Sequence, residues 1–196
     1  MTEKKKRPFG IRDMTIIAQH AAIIAVCSWI QIPSSPVPFT LQTFAVFLTV
    51  YVLGTKRAIL SVLIYILLGA AGLPVFSGFR GGPGILFGAT GGFIIGFLFM
   101  APVIGLLISV SGDRPVPVIL SMAAGLLVCY LFGAVWFMIF SAMTSGALPL
   151  TDILKITVLP FILPDIAKLV LAYLTGRTIK PIAEKFIKKA KRAEDK

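Results

Sequence analysis

Between residues 14 and 176 only nine side chains carry a formal charge, and long apolar runs fill the intervals. That spacing constrains the fold more than any other feature. In lipid every backbone N–H and C=O must be satisfied within the chain, so each run becomes a helix of about 20 residues if it spans. The composition agrees: 57% of the residues are apolar and 14% charged, against about 25% charged in a soluble domain. A chain of 196 residues is one domain, with room for six spans and short loops. A soluble enzyme with a large extramembrane domain is excluded. So is a disulfide scaffold, because Cys27 and Cys129 both sit in apolar runs.

The net charge of +11 is concentrated at the ends. Residues 1–13 carry Lys4, Lys5, Lys6, Arg7 and Arg12 against Glu3 and Asp13, and residues 177–196 carry eight Lys/Arg against three acids. Basic ends on an apolar body suit an anionic cytoplasmic lipid surface. No aromatic-basic platform accompanies them, which argues against nucleic acid. The expected organisation is a basic N-terminus (1–13), a membrane domain (14–178) and a basic tail (179–196).

The first span is 14–31. Ile24-Ala25-Val26-Cys27 is only loosely like a lipoprotein cleavage box, because Val26 suits that position poorly and the following sequence is also membrane-like. Residues 32–40 form a loop, since Pro33, Pro36 and Pro38 forbid regular helix. Spans two (41–54) and three (58–72), separated by Lys56 and Arg57, are short for a full crossing. Either the bilayer thins around them or protein covers their ends, with a re-entrant pair as the alternative. Residues 73–89 hold Gly78, Gly81, Gly82, Gly84 and Gly88 with Pro74 and Pro83. Span four is 90–109 and 112–115 is a turn. Span five is 116–142, Thr144-Ser145-Gly146 is a polar break, and span six is 152–175, interrupted by Pro160 and Pro164. In the tail Ile179, Ile182, Phe186 and Ala190 share a helical face, so the tail lies on the membrane surface or frays. The expected fold is an all-α integral membrane protein of six transmembrane helices. Basic residues at 1–13, 56–57, 114 and the tail place both termini in the cytoplasm. Arg80 is the cation on an outer loop that this bias does not explain.

Asp165 and Lys168 lie at i, i+3 within span six, on one face. Ionisable groups at membrane depth are costly and point to function, with a structural ion pair as the alternative. Pro164 suggests that the regular part of span six starts there, near the positive helix end. Arg80, in its glycine-rich loop, either meets a ligand carboxylate over a cavity or is an exposed lone cation. Gln42 either binds a polar ligand or caps span two. His20 reads as a core histidine. Ser61, Ser77, Thr90 and Ser121 have no base at motif spacing, and no metal, P-loop or serine-hydrolase motif is present. Ala18/Ala22 and Ala21/Ala25 are small-x-x-x-small pairs that serve either a partner helix or internal packing.

Several segments together resemble the BioY family, the biotin-specific substrate-binding (S) components of energy-coupling factor (ECF) transporters. They are Ser35-Pro36-Val37-Pro38-Phe39-Thr40-Leu41-Gln42-Thr43, Gly69-Ala70-Ala71-Gly72-Leu73-Pro74-Val75-Phe76, Gly81-Gly82-Pro83-Gly84, Gly88-Ala89-Thr90-Gly91-Gly92-Phe93 and Pro164-Asp165-Ile166-Ala167-Lys168. The resemblance covers about residues 14–180 and implies the ECF S-component fold in the cell membrane, with biotin captured near the outer face and delivered inward. It implies substrate contacts from Asp165 and Lys168; the residues Arg80, Gln42 and Gly82 complete the expected substrate-binding set. Some relatives carry a small amide where this chain has Arg80. It also implies a coupling protein, docked through the alanine pairs of span one, and two cytoplasmic ATPases that supply ATP hydrolysis. No cofactor and no catalysis by this chain are expected. The alternatives are an S component for another small vitamin and a solitary carrier using Asp165. An intramembrane enzyme would need a nucleophile with a base, or paired acids, at depth.

Overall fold

A computed structural model of the chain describes residues 10–33 and 36–194. Lys4, Lys5, Lys6, Arg7, Glu3 and Ser35 lie outside the described residues, as does the side chain of Ala190. The helices are α1 (Ile11–Trp29), α2 (Gln42–Leu53), α3 (Thr55–Ala70), α4 (Pro83–Leu86), α5 (Gly91–Ser111), α6 (Pro115–Thr144), α7 (Leu150–Thr157) and α8 (Leu159–Glu194). A two-stranded antiparallel ribbon, β1 (Gln31–Ile32) and β2 (Phe39–Thr40), frames the proline loop. Helices α1, α5 and α6 are each long and apolar enough to cross a membrane. Helices α2 and α3 are short, at 12 and 16 residues.

One apolar core joins α1, α2, α3, α5, α6 and α8, through residues such as Ile24, Phe47, Tyr65, Met100, Met122 and Ala172. Helices α5 and α6 pack closely because they meet at glycines: a Cβ on Gly92 would overlap Trp136, and one on Gly133 would overlap the Phe93 ring. The outer face of α6 is equally apolar. Val116, Leu120, Leu127 and Leu131 recur at helical spacing and are all more than 60% exposed. A soluble surface does not sustain such a stripe; lipid does.

Two expectations from the sequence are corrected. Lys56 and Arg57 do not form a loop, because they occupy the first turn of α3 and Gly54 alone joins it to α2. Gly54 has φ 75° and ψ 172°, a conformation open essentially to glycine only, so one residue reverses what a basic loop was expected to reverse. Arg57 turns inward, and its Nε donates to Asp13 Oδ1 at 2.8 Å. Asp13 also closes the first turn of α1 by accepting from Gly10 N–H at 3.2 Å.

The second correction concerns span six. The chain breaks at Val158, between α7 and α8, and Pro160 sits in the first turn of α8, where a missing N–H costs little. Pro164 lies inside the helix, so Asp165 stands about two turns from the N-terminus rather than at it. Helix α8 continues through residues 178 and 179 into the basic tail without interruption. Ala183 and Ile187 pack on the core, while Ile182 and Phe186 face outward and Arg12 lies over the Phe186 ring.

Candidate ligand-binding cavity

Each wall of the candidate site follows from local sequence. Residues 71–90, too rich in glycine and proline for a long helix, fold across one end of the bundle. Four bonds from neighbouring elements fix them there. Trp29 Nε1 donates to Pro74 O at 2.9 Å, Ser28 Oγ to Val75 O at 2.6 Å and Trp136 Nε1 to Gly88 O at 2.9 Å, while Ser77 Oγ donates to Gln31 Oε1. Phe79 itself takes the left-handed conformation, at φ 56°, and stacks on Trp29 with ring centroids 5.0 Å apart. Gly82, at φ 95° and ψ 159°, again takes a glycine-only conformation, and its N–H donates to Gly69 O at 2.7 Å.

Beneath this segment lies a cavity bounded by the start of α2 and by α5, α6 and α8. Its polar lining includes Gln42, Thr43, Arg80, Tyr130, Asp165 and Lys168, and its apolar wall includes Phe76, Phe93, Phe97 and Phe161. The structure therefore brings together four of the five residues expected at a binding site. Gly82 is not among those that line the cavity; it shapes the segment above.

Asp165 is the centre of the polar corner. Its side chain is 3% exposed and that of Lys168 11%. Lys168 Nζ donates to Asp165 Oδ1 at 2.8 Å, Thr43 Oγ1 donates to the same oxygen at 2.8 Å, and Tyr130 OH donates to Oδ2 at 2.7 Å. Three helices, α2, α6 and α8, thus converge on one carboxylate. A carboxylate has about four acceptor sites, so one remains; an ammonium has three donors, so two remain. The corner presents an acceptor beside a donor.

Gln42 is 6% exposed and does not cap α2. Its Oε1 accepts from Thr40 Oγ1 at 2.9 Å and its Nε2 donates to Tyr65 OH. Arg80 is exposed, and its Nε donates to Ser77 O at 3.1 Å. His20 is a core histidine, as expected: it is 7% exposed and its Nδ1–H donates to Ile16 O of its own helix at 3.0 Å. The two alanine pairs separate. Ala21 and Ala25 are buried in the bundle, whereas Ala18 and Ala22 are exposed. Among the described residues no cluster of His, Cys, Asp or Glu could hold a metal.

Comparison with known proteins settles the family. The BioY family model matches residues 1–185. The chain belongs to the BioY family. It is 42% identical over 172 residues to the biotin transporter BioY of Thermotoga maritima, covering 88% of this chain and 98% of that one. It is 38% identical over 169 residues to the probable biotin transporter BioY of Pyrococcus horikoshii, covering 86% and 96%. The crystal structure of the S-component for biotin from an ECF-type ABC transporter matches with a TM-score of 0.78 and 26% identity, over 92% of this chain and 95% of that one. The fold is that of an ECF S component, a multi-pass membrane protein, in a family of transporters rather than enzymes.

Within this BioY chain, sequence reasoning missed Tyr130 and the part played by Thr43. A signal existed for the first. A tyrosine midway along an apolar run needs a partner for its hydroxyl when buried, and Asp165 was the ionisable acceptor at membrane depth. Nothing in the spacing of Thr43, which is 122 positions from Asp165, pointed to the contact.

Proposed function

We propose that this chain captures biotin at the outer face of the cell membrane and delivers it inward as the S component of an ECF transporter. The observation that carries the reading is the acceptor–donor corner of Asp165 and Lys168, in a cavity whose apolar wall includes Phe76, Phe93, Phe97 and Phe161. Biotin has an apolar fused bicycle and a ureido edge on which an N–H donor stands beside a carbonyl acceptor. Asp165 Oδ2 accepts that N–H and Lys168 donates to the carbonyl, while burial of the bicycle adds about 25 cal/mol per Å². Gln42 forms part of the polar wall, and Gly82 holds the covering segment in place. Equilibrium binding of labelled biotin to the purified chain tests this. Saturable binding that other vitamins do not displace is expected; equal displacement by an unrelated vitamin would overturn it.

In this reading α1, α2, α3, α5, α6 and α8 are the six crossings, and both termini are cytoplasmic. The basic residues of α3, the α5–α6 turn and the tail support that orientation. Arg80, exposed at the cavity wall, pairs with the valerate carboxylate. Biotin should then bind more tightly than its uncharged amide, and Arg80→Ala should remove most of that preference, about fivefold for an exposed pair. Added salt should narrow the gap and lysine should restore only part of it. An acid-over-amide preference that survives Arg80→Ala unchanged would move the carboxylate contact to Lys168.

The partners are a transmembrane coupling protein and two cytoplasmic ATPases. In this reading Ala18 and Ala22 are the docking pair, which their exposure on α1 supports, and the buried Ala21 and Ala25 serve internal packing. Ala18→Leu with Ala22→Leu should abolish co-purification with a coupling protein and leave biotin affinity unchanged. Co-purification at the wild-type yield would count decisively against this surface.

A further inference from the structure

We infer that Tyr130 is a positioning residue for biotin recognition: its hydroxyl sets the direction in which Asp165 presents its remaining lone pair. The inference rests on the binding reading above and extends it to a residue on a different helix. The two carboxylate oxygens of Asp165 are held unequally. Oδ1 has two donors, Lys168 from the same helix and Thr43 from α2. Oδ2 has one among the described residues, Tyr130 from α6, at 2.7 Å. Lys168, at i+3, draws the carboxylate along its own helix, and Tyr130 holds its other oxygen from a second one. Without the Tyr130 hydroxyl, Oδ2 has no protein donor among the described residues, and with only Oδ1 held by Thr43 and Lys168 it can turn toward Lys168 to form a two-oxygen ion pair. The acceptor offered to the ligand is then lost while the charge pair survives. Loss of Thr43 is different, because Lys168 still holds Oδ1.

Tyr130 and Asp165 both line the cavity, so the effect should be specific to one part of the ligand. It should fall on the ureido N–H that Asp165 accepts and spare the bicycle and the carboxylate tail. This separates positioning from general loosening of the α6–α8 contact, which would weaken every ligand alike.

The test uses the full-length protein in detergent, with biotin and its two mono-N-methyl derivatives as ligands. In the wild type, methylating the N–H that faces Asp165 should cost about tenfold or more in affinity. Tyr130→Phe should weaken biotin by about tenfold and shrink that methylation penalty toward onefold, with a thermal unfolding temperature close to wild type. Thr43→Val should have the smaller effect on both readings. In an Asp165→Asn background, Tyr130→Phe should add no further loss of biotin affinity. Parallel weakening of biotin and both methyl derivatives, or a full Tyr130→Phe loss on top of Asp165→Asn, would overturn the inference and leave the binding reading intact. A wild-type protein indifferent to methylation at either nitrogen would instead overturn the Asp165 contact itself.

Discussion

Asp165→Ala should unfold far more readily than wild type and bind no measurable biotin, and adding Lys168→Met should restore the stability without the binding. Removing the carboxylate leaves the Lys168 ammonium, 11% exposed, without its counter-ion. It also takes the acceptor from the hydroxyls of Thr43 and Tyr130. Breaking a buried pair in this way costs about 3–5 kcal/mol, whereas replacing both members by apolar side chains is often close to neutral. The double variant therefore recovers most of the loss in a thermal unfolding measurement. It cannot recover binding, because the acceptor–donor edge is gone. Asp165→Asn is the milder probe: it keeps the shape and loses the charge-assisted bonds, so affinity should fall about ten- to a hundredfold in a folded protein. A double variant that stays as unstable as Asp165→Ala would show that the pair is not what destabilises the single one. A double variant that binds biotin normally would remove Asp165 and Lys168 from the site.

The parts of this molecule that could be read from the sequence are those governed by local pattern. Scarcity of charge gave the apolar runs, and α5 and α6 occupy residues close to those expected. The i, i+3 relation of Asp165 and Lys168 survives as a 2.8 Å ion pair because helical spacing alone brings them together. What could not be read depends on contacts between distant segments. The two other donors to Asp165 stand 122 and 35 positions away, and no periodicity relates them. The alanine pairs of α1 were equivalent by spacing, and the packing of the other helices against one side of α1 distinguishes them. Where local rules misled, the cause is also local. Charged Lys56 and Arg57 looked like a loop, but Gly54 makes the turn and leaves both in a helix. Pro164 looked like a helix start, but Pro160 already fills that place.

Gly81→Ala should be the most damaging small substitution in the segment that covers the cavity, and Gly84→Ala, three residues on, should be silent. A Cβ on Gly81 would overlap the carbonyl oxygens of Leu73 and Gly72. Those are backbone atoms, so no rotamer change relieves the clash and the segment itself must move. Its neighbours on both sides would be carried along. Arg80 lines the cavity and is held to Phe76 by reciprocal backbone bonds of 2.9 and 3.3 Å. Gly82 ties the segment to the end of α3 through Gly69 O at 2.7 Å. Overpacking of this kind costs about 1–3 kcal/mol, which corresponds to about a five- to hundredfold loss of biotin affinity if the displaced wall is what closes over the ligand. Gly84 differs in each respect. It lies in α4, a Cβ there meets nothing within 4 Å, and alanine is the better helix former. Measured side by side with labelled biotin, the pair separates the position of the segment from its glycine content. Equal and large losses at both positions would mean that the segment needs flexibility rather than this particular path. Wild-type affinity in Gly81→Ala would mean that biotin does not depend on the segment at all.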